Sequence, residues 1–315
     1  MALTIGVDVG GTKVAAGVVD EDGRVLEQVR LASVTQRPGA TEESIAEAIR
    51  KLAAAYPVEA VGVGAAGLVD ETRSIVRFAP NLGWREQPLR SVLEAATDLP
   101  VVVENDANTA AWAEYRFGAA RGRDDVFTVT VGTGIGGALI LGGALYRGRF
   151  GLSGEVGHMV VDPDGPACGC GRRGCWEQFA SGNALLRDVR ARATREPERA
   201  AYLLRLGDGT PPGIQGEHVT AAAREGDPVA LEGFKHAGYW LGRGMAEIAA
   251  VVDPGCYVIG GGVSDAGELL LAPARREFAA HLMATDVRPR AEIVVAAMGN
   301  EAGVVGAAEL ARLRY

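Results

Sequence analysis

The sequence predicts an α/β fold built from two domains. Strand-like and helix-like segments alternate along the chain, starting with the apolar run Leu3 to Val9 and the helical pattern of residues 41–55. A glycine cluster between two apolar runs occurs near the start of the chain and again after Asp125. The length of 315 residues, of which 48% are hydrophobic, favours two cores over one.

The elements predicted before residue 125 follow from hydrophobic periodicity. Apolar runs predict strands, and apolar residues at helical spacing predict helices. The predicted strands are Leu3 to Val9, Val14 to Val19, Val58 to Val63 and Pro100 to Glu104. The predicted helices are residues 41–55, Leu89 to Ala96, and a helix beginning near Ala107.

The second set of elements repeats the opening pattern and then changes character. Residues 151–182 are rich in Gly, Cys and polar residues, which predicts a structured loop, with Ser181 as cap of the next helix. The predicted strands are Val126 to Val131, Gly137 to Leu141 and Cys256 to Ile259. A helical stretch to about Leu206, a Gly/Pro loop from Gly207 to Gly216, helices through about Val252 and a last helix Ala302 to Leu313 are also predicted. We expect a small domain of residues 1–107, onto which the C-terminal helix 302–315 packs back, and a large domain of residues 108–301.

The charge pattern argues against nucleic acid and membrane partners. Forty acidic and 32 basic residues give a net charge of −8, without a Lys/Arg-rich block of the kind that follows a phosphate backbone. The start of the chain lacks the charged and apolar regions of a signal peptide, and no stretch predicts a membrane span. We therefore expect a cytoplasmic protein.

The first glycine cluster is a candidate phosphate-binding loop. Its glycines allow backbone N–H groups to approach a phosphate, Thr12 offers a hydroxyl, and Asp8 can hold water around Mg²⁺. A tight hairpin that merely needs glycine is the alternative. Two further clusters at strand ends favour a nucleotide site, whose candidate residues are Asp8, Gly10, Gly11, Thr12, Lys13, Thr133, Gly134, Gly261 and Gly262. This arrangement resembles the superfold of actin, hexokinase and heat-shock chaperone ATPases, which implies an interdomain cleft that binds ATP.

The segment after the strand Pro100 to Glu104 carries a candidate general base. Glu104, Asn105, Asp106 and Asn108 follow the strand directly, and open α/β sheets bind ligands at the carboxyl ends of their strands. Phosphoryl transfer to an alcohol needs a carboxylate that orients the hydroxyl and accepts its proton, and Asp106 suits that role. The alternative is that Asn105 and Asp106 merely cap the following helix.

Four residues within the glycine-rich loop form a candidate structural metal site. His158, Cys168, Cys170 and Cys175 supply one imidazole and three potential thiolates, enough for tetrahedral Zn²⁺ with no open position. Incidental thiols or a redox pair are the alternative, but the compact spacing and the cytosolic setting favour metal. Cys256 lies alone on an apolar strand, where we expect a small buried side chain.

Together these motifs resemble the ROK family of sugar kinases and repressors. The resemblance rests on Asp8 to Lys13, Glu104 to Asn108, Glu155 with His158, the run CGCGRRGCWE ending at Glu177, and the late GGGV. Within the family, the whole chain is similar to the glucokinases of high-GC Gram-positive bacteria. The resemblance implies that Asp106 is the general base and that the sugar-binding residues are Gly67, Asn81, Asn105, Asp106, Glu155, His158 and Glu177.

The implied activity is ATP-dependent phosphorylation of glucose at its 6-hydroxyl. A kinase for mannose, fructose, allose or N-acetylmannosamine, or a sugar sensor with weak kinase activity, remains the alternative, although the phosphate loop begins too early to leave room for a DNA-binding module ahead of it. Polyphosphate is an alternative phosphate donor. Relatives form dimers or tetramers, so we expect a homodimer or homotetramer. The role of residues 195–216 stays open.

Overall fold

The computed structural model describes residues 2–33, 37 and 39–314. Its strands are β1 (Leu3–Val9), β2 (Lys13–Val19), β3 (Val25–Ala32), β4 (Val58–Ala65), β5 (Leu68–Val69), β6 (Val76–Ala79), β7 (Trp84–Gln87), β8 (Val101–Asn105), β9 (Val126–Val131), β10 (Ile135–Leu141), β11 (Ala144–Tyr146), β12 (Cys256–Gly260) and β13 (Glu292–Val295). Its helices are α1 (Ala40–Ala53), α2 (Leu89–Thr97), α3 (Asp106–Arg116), α4 (Glu177–Ala180), α5 (Gly182–Arg195), α6 (Ala201–Leu206), α7 (Gly216–Arg224), α8 (Pro228–Val252), α9 (Glu268–His281) and α10 (Ala302–Arg312).

These strands form two five-stranded sheets and one small sheet. The first sheet has the order β3-β2-β1-β4-β8, in which β1, β4 and β8 are parallel and β2 and β3 form an antiparallel meander. The second has the order β11-β10-β9-β12-β13, and β5-β6-β7 form the third. Because β1, β4 and β8 are parallel, their carboxyl ends meet at one edge, where α/β sheets bind ligands.

Helices cover both faces of the first sheet, which explains why its central strands are apolar throughout. On one face, Ile45, Ile49 and Leu52 of α1 pack in a core with Ile5 and Val7 of β1. The other face packs against α10, and a second cluster joins residues of β2, α3 and α10: Ala15, Val19, Ala113, Val304, Val305 and Ala308. Side chains at alternate positions of β2 are therefore buried in different cores.

The backbone of α10 lies directly on the first sheet. A Cβ atom on Gly6 of β1 would lie 1.8 Å from the carbonyl oxygen of Val304, and one on Gly62 of β4 would lie 1.8 Å from that of Ala307. Neither position has room for any side chain. Glycine in these strands therefore allows the last helix to contact the first strand.

The chain divides into two compact units. The first comprises Met1–Thr128, Gly137–Gly154 and Ala296–Tyr315, and the second comprises Val129–Gly136 and Glu155–Val295. The domain boundary predicted after residue 107 falls inside the first unit, near the start of α3. The chain passes from one unit to the other more than once, because the hairpin of β9 and β10 is divided between them.

The second unit is largely helical outside its sheet. Helix α8 packs on α9, and Gly244 of α8 leaves room for the indole of Trp176, which is fully buried. Trp84, in the first unit, is also buried, so both tryptophans pack in the interior. Ser181 caps α5 by accepting a hydrogen bond from the Ala184 amide at 3.2 Å, as predicted.

No helix in the described part of the chain combines the length and the apolar character needed to cross a membrane.

Candidate active site

Asn105 and Asp106 stand at the junction of β8 and α3. Asn105 is the N-cap of α3, and its Oδ1 accepts a hydrogen bond from the Asn108 amide at 3.1 Å. Asp106 is the first helical residue, and its carbonyl accepts a hydrogen bond from the Thr109 hydroxyl at 2.8 Å. Both residues are partly exposed. The capping interpretation of Asn105 is therefore correct, and it also holds Asp106 at the ligand-binding edge of the sheet, where the helix N-terminus favours a carboxylate.

Gly67 and Asn81 contact different parts of this edge. The Gly67 carbonyl accepts a hydrogen bond from the Asn105 side-chain amide at 3.1 Å, so Gly67 adjoins the cap of α3. Asn81 is exposed in a short 3-10 turn, and a Cβ atom on Gly11 would lie 3.2 Å from that of Asn81. The structure thus pairs Gly67 with Asn105 and Asn81 with the first glycine loop.

The first glycine loop, residues 10–12, connects β1 to β2. The Gly10 amide donates to the Lys13 carbonyl at 3.0 Å, and Thr12 and Lys13 are exposed. Gly10 has no left-handed φ, and a Cβ atom there would be 3.7 Å from its nearest neighbour, so the hairpin itself does not require glycine at this position. A ligand that approaches the backbone closely would account for glycine at position 10. Burial raises the pKa of Asp8, although the nearby Lys13 opposes this shift.

In the second unit, the second and third glycine loops lie side by side. The Gly132 amide donates to the Gly134 carbonyl at 3.0 Å and closes a turn that includes Thr133. Gly261 has a φ of 83°, and a Cβ atom there would lie 2.6 Å from the Val131 carbonyl oxygen. Gly262 then begins a 3-10 turn. The third glycine loop therefore packs against the end of β9, next to the second loop.

The predicted sugar-binding carboxylates of this unit adjoin the second glycine loop. A Cβ atom on Gly134 would be 2.7 Å from Glu177 Oε2, and one on Gly157, in the turn that carries His158, would be 2.1 Å from the Ile135 carbonyl oxygen. The pKa of Glu155 is raised, mainly because the carboxyl is buried. The nearby His158 opposes this shift and Glu177 adds to it. Candidate groups for sugar and for phosphate are thus neighbours, as phosphoryl transfer between them requires.

The histidine and three cysteines are positioned to bind one metal ion. One ligand atom from each of His158, Cys168, Cys170 and Cys175 lies within 4.8 Å of the others. The Sγ atoms of Cys170 and Cys175 are 3.6 Å apart, as are Cys168 Sγ and His158 Nδ1. Sulfurs held tetrahedrally about 2.3 Å from zinc would be about 3.8 Å apart, so the donor set and its spacing fit Zn²⁺.

This cluster is linked to the sugar-binding candidates through Glu177. Glu177 Oε1 lies 2.9 Å from Cys168 Sγ and 3.7 Å from His158 Nδ1. Backbone hydrogen bonds, such as Trp176 N to the Met159 carbonyl at 2.8 Å, hold the surrounding loop. All four cysteines, including the buried Cys256, are free thiols rather than disulfides.

Comparison with known proteins identifies the family. The model of the ROK family matches residues 4–314. The chain belongs to the ROK family. A glucokinase of Streptomyces coelicolor is 51% identical over 312 residues, covering 99% of this chain and 98% of the relative. The structure of a ROK family glucokinase from Streptomyces griseus, in complex with glucose and AMPPNP, superposes with a TM-score of 0.92 at 52% identity, covering 99% of this chain and 100% of that one.

More distant relatives show the range of the ROK family. A glucokinase of Thermotoga maritima is 37% identical over 98% of this chain and 97% of its own length. The xylose repressor of Bacillus subtilis is 30% identical over 96% of this chain and 75% of the repressor. The structural relatives confirm the predicted α/β fold of the actin and hexokinase type, and the predicted resemblance to ROK sugar kinases is confirmed.

Two arginines that surround Glu104 were not predicted from the sequence. Arg73 and Arg147 both contact its carboxylate, at 3.0 and 2.8 Å. A glutamate at the end of the apolar run VVVE was a signal that a buried partner must exist, because an unpaired buried charge is very costly. No local pattern in the sequence identified Arg147 as that partner.

Proposed function

We propose that this protein is an ATP-dependent glucokinase, which transfers the γ-phosphoryl group of ATP to the 6-hydroxyl of glucose and releases glucose 6-phosphate and ADP. The observation that carries the proposal is the 52% identity and TM-score of 0.92 to a glucokinase structure that contains glucose and AMPPNP. The residues around Asp106 and the glycine loops are of the types that this reaction needs.

Asp106 is the proposed general base. Its carboxylate orients the 6-hydroxyl and accepts its proton as the oxygen attacks the γ-phosphorus and the bond to the β-phosphate oxygen breaks. Asn105, Glu155, His158 and Glu177, with Gly67 and Asn81, bind the other hydroxyls of the sugar. Support for these roles comes from the position of Asp106 at the end of β8 and from the adjacency of Glu177 to Gly134.

The phosphates of ATP are bound by the three glycine loops, through the backbone of Gly10 and Gly11, of Gly134, and of Gly261 and Gly262, with Thr12, Lys13 and Thr133 as polar side chains. Mg²⁺, held through Asp8, supplies neutralisation of phosphate charge when it is bound. The raised pKa of Asp8 and the absence of any steric need for glycine at position 10 support this assignment.

His158, Cys168, Cys170 and Cys175 would hold a structural Zn²⁺, which would fix the orientation of the imidazole and of the loop that presents Glu177. The grouping of the four ligand atoms within 4.8 Å of one another supports this role. The same thiols require a reducing compartment, in agreement with a cytoplasmic location. We further propose that the chain assembles into a homodimer or homotetramer. Equilibrium sedimentation would measure the mass of the assembly.

The test is an ADP-release assay with MgATP and a panel of glucose, mannose, fructose, allose, N-acetylglucosamine and N-acetylmannosamine. Glucose should give the highest kcat/KM. A higher value for another sugar would keep the kinase mechanism and change the substrate, whereas no turnover of any sugar would favour a sensor. N-acetylmannosamine belongs in the panel because an N-acetylmannosamine kinase of Escherichia fergusonii is 34% identical over 98% of this chain. A parallel series with polyphosphate tests the donor.

A further inference from the structure

Glu104 is a buried carboxylate placed between two arginines at the end of β8. Its side chain is 1% exposed, and its Oε2 lies 3.0 Å from Arg73 Nε and 2.8 Å from Arg147 Nε. Both are charge contacts that are not aligned as hydrogen bonds. One negative charge thus meets two positive charges in the interior of the first unit.

The other carboxylate oxygen of Glu104 binds a residue on each side of Asp106. Oε1 accepts a hydrogen bond from the Asn105 amide at 2.9 Å and another from the Asn108 side-chain amide at 3.0 Å. Asn105 precedes Asp106, and Asn108 follows it in the first turn of α3. The proposed base therefore lies between two residues that one buried carboxylate fixes.

The two arginines are themselves held by the segment that follows β5. Arg147 Nη2 donates to the Asp70 carbonyl at 2.8 Å, and its Nη1 donates to that of Glu71 at 3.1 Å. Arg73 has a φ of 58°, a strained conformation for a residue with a side chain, and its carbonyl accepts from the Val103 amide of β8 at 3.1 Å. Such strain persists where surrounding contacts determine the conformation, so the arginines form a rigid frame.

We propose that Glu104, held by Arg73 and Arg147, is a positioning residue for Asp106. The inference rests on the proposed function, because it assigns Glu104 an effect on turnover that acts through the base. If Glu104 is replaced by glutamine, two arginines lose their buried counter-charge and the first turn of α3 loses a charged acceptor. A displacement of Asp106 by about 1 Å would lower turnover on the order of 100-fold.

The test compares Glu104→Gln with the matched variant Glu309→Gln. Glu309 of α10 is also a buried carboxylate between two arginines. Its Oε1 lies 2.8 Å from Arg116 Nη1, and its Oε2 contacts Arg312. Arg116 is at the opposite end of α3 from Asp106, about 15 Å away along the helix. We expect both variants to lower Tm. Glu104→Gln should also lower kcat about 10- to 100-fold with little change in the KM for ATP, whereas Glu309→Gln should keep kcat within about twofold.

A second pair of variants covers the case in which Glu104→Gln does not fold. Arg147→Lys keeps the positive charge but loses the planar fork that contacts Glu104 and the two backbone carbonyls through three nitrogens, and Arg147→Met removes the charge. The expected order of kcat per folded molecule is unmodified protein, then Arg147→Lys, then Arg147→Met. Equal kcat across these proteins, or equal losses in Glu104→Gln and Glu309→Gln, would overturn the inference. Absence of turnover by the unmodified protein would instead contradict the proposed function itself, and the inference with it.

Discussion

Asp106 shows how one residue can satisfy local structure and chemistry together. It occupies the first turn of α3, where the helix dipole favours a negative charge, and the same position places it at the edge of the first sheet. Sequence analysis left capping and catalysis as alternatives at Asn105 and Asp106. The geometry assigns the cap to Asn105 and leaves the role of base to Asp106 as a proposal.

For Asp106→Asn we expect a fall in kcat of about 10²- to 10⁴-fold, because the amide cannot accept the proton of the 6-hydroxyl. The KM for glucose should change much less, since the amide keeps hydrogen-bonding atoms. The coupled ADP-release assay measures both. Glu217→Gln is the control, because it removes an exposed carboxylate from the first turn of another helix, α7. Near-normal turnover in Asp106→Asn would refute the assignment of the base.

Asp70 gives a prediction about pH. Burial raises the pKa of Asp70, but hydrogen bonds from the Ile75 amide, the Thr72 hydroxyl and the Ser74 amide outweigh burial and lower it. A lowered pKa in the folded state means that the ionised form stabilises the fold above the unfolded pKa of about 3.9, and this stabilisation is lost as pH falls through the lower folded value.

Asp70→Asn should therefore be less stable than the unmodified protein at neutral pH, and the difference should shrink below about pH 4. Urea unfolding at several pH values measures it. Asp22→Asn, an exposed position in the turn between β2 and β3, serves as the control and should show no such convergence. A constant difference across the acid range would show that Asp70 acts through hydrogen-bond geometry and not through its charge.

The loop before α4 is the element whose structure depends most on side-chain chemistry. Between β11 and α4, the described residues form only short turns and isolated bridges, such as that between Val160 and Cys175. The sequence predicted that this loop lacks regular structure and that its four candidate metal ligands lie close together. It did not predict that Glu177 Oε1 would lie 2.9 Å from Cys168 Sγ, because that contact depends on how the loop folds.

For Cys170→Ser we expect loss of bound zinc and a higher KM for glucose, with a smaller effect on the KM for ATP. Serine is a poor zinc ligand at neutral pH, and the loop that carries His158 and Glu177 would lose its cross-link. Metal analysis of the purified protein and the coupled assay measure the two effects. Cys256→Ala, a buried thiol on β12, is the control and should keep its zinc. Full sugar affinity in zinc-free protein would exclude the structural role.

Among the elements, the strongly periodic ones were predictable and the weakly buried ones were not. Strands β1, β2 and β8 were predicted within about two residues, because nearly every side chain in them is buried. Strands β3 and β13 were missed. Each buries few side chains and lies at an edge of its sheet, so tertiary pairing and not local sequence determines them.

On the scale of the whole molecule, the first and last elements depend on each other. Gly6→Ala should destabilise the protein by at least about 1–3 kcal/mol, because the new methyl group would overlap the Val304 carbonyl oxygen. Gly216→Ala is the matched control: it has open space at the first position of α7, and alanine there should be neutral or stabilising. Thermal unfolding measures both. Equal Tm for Gly6→Ala and the unmodified protein would mean that α10 can move away from β1 at little cost.

The packing of α10 on β1 also determines when the protein can fold in the cell. Strand β1 precedes α10 by about 300 residues, and ribosomes add about 5–20 residues each second, so β1 waits about 15–60 s for the helix that covers it. During that time the face with Ala15 and Val19 is exposed on the nascent chain, while most of the second unit has already been translated. The first unit therefore cannot be completed until most of the second unit has been translated.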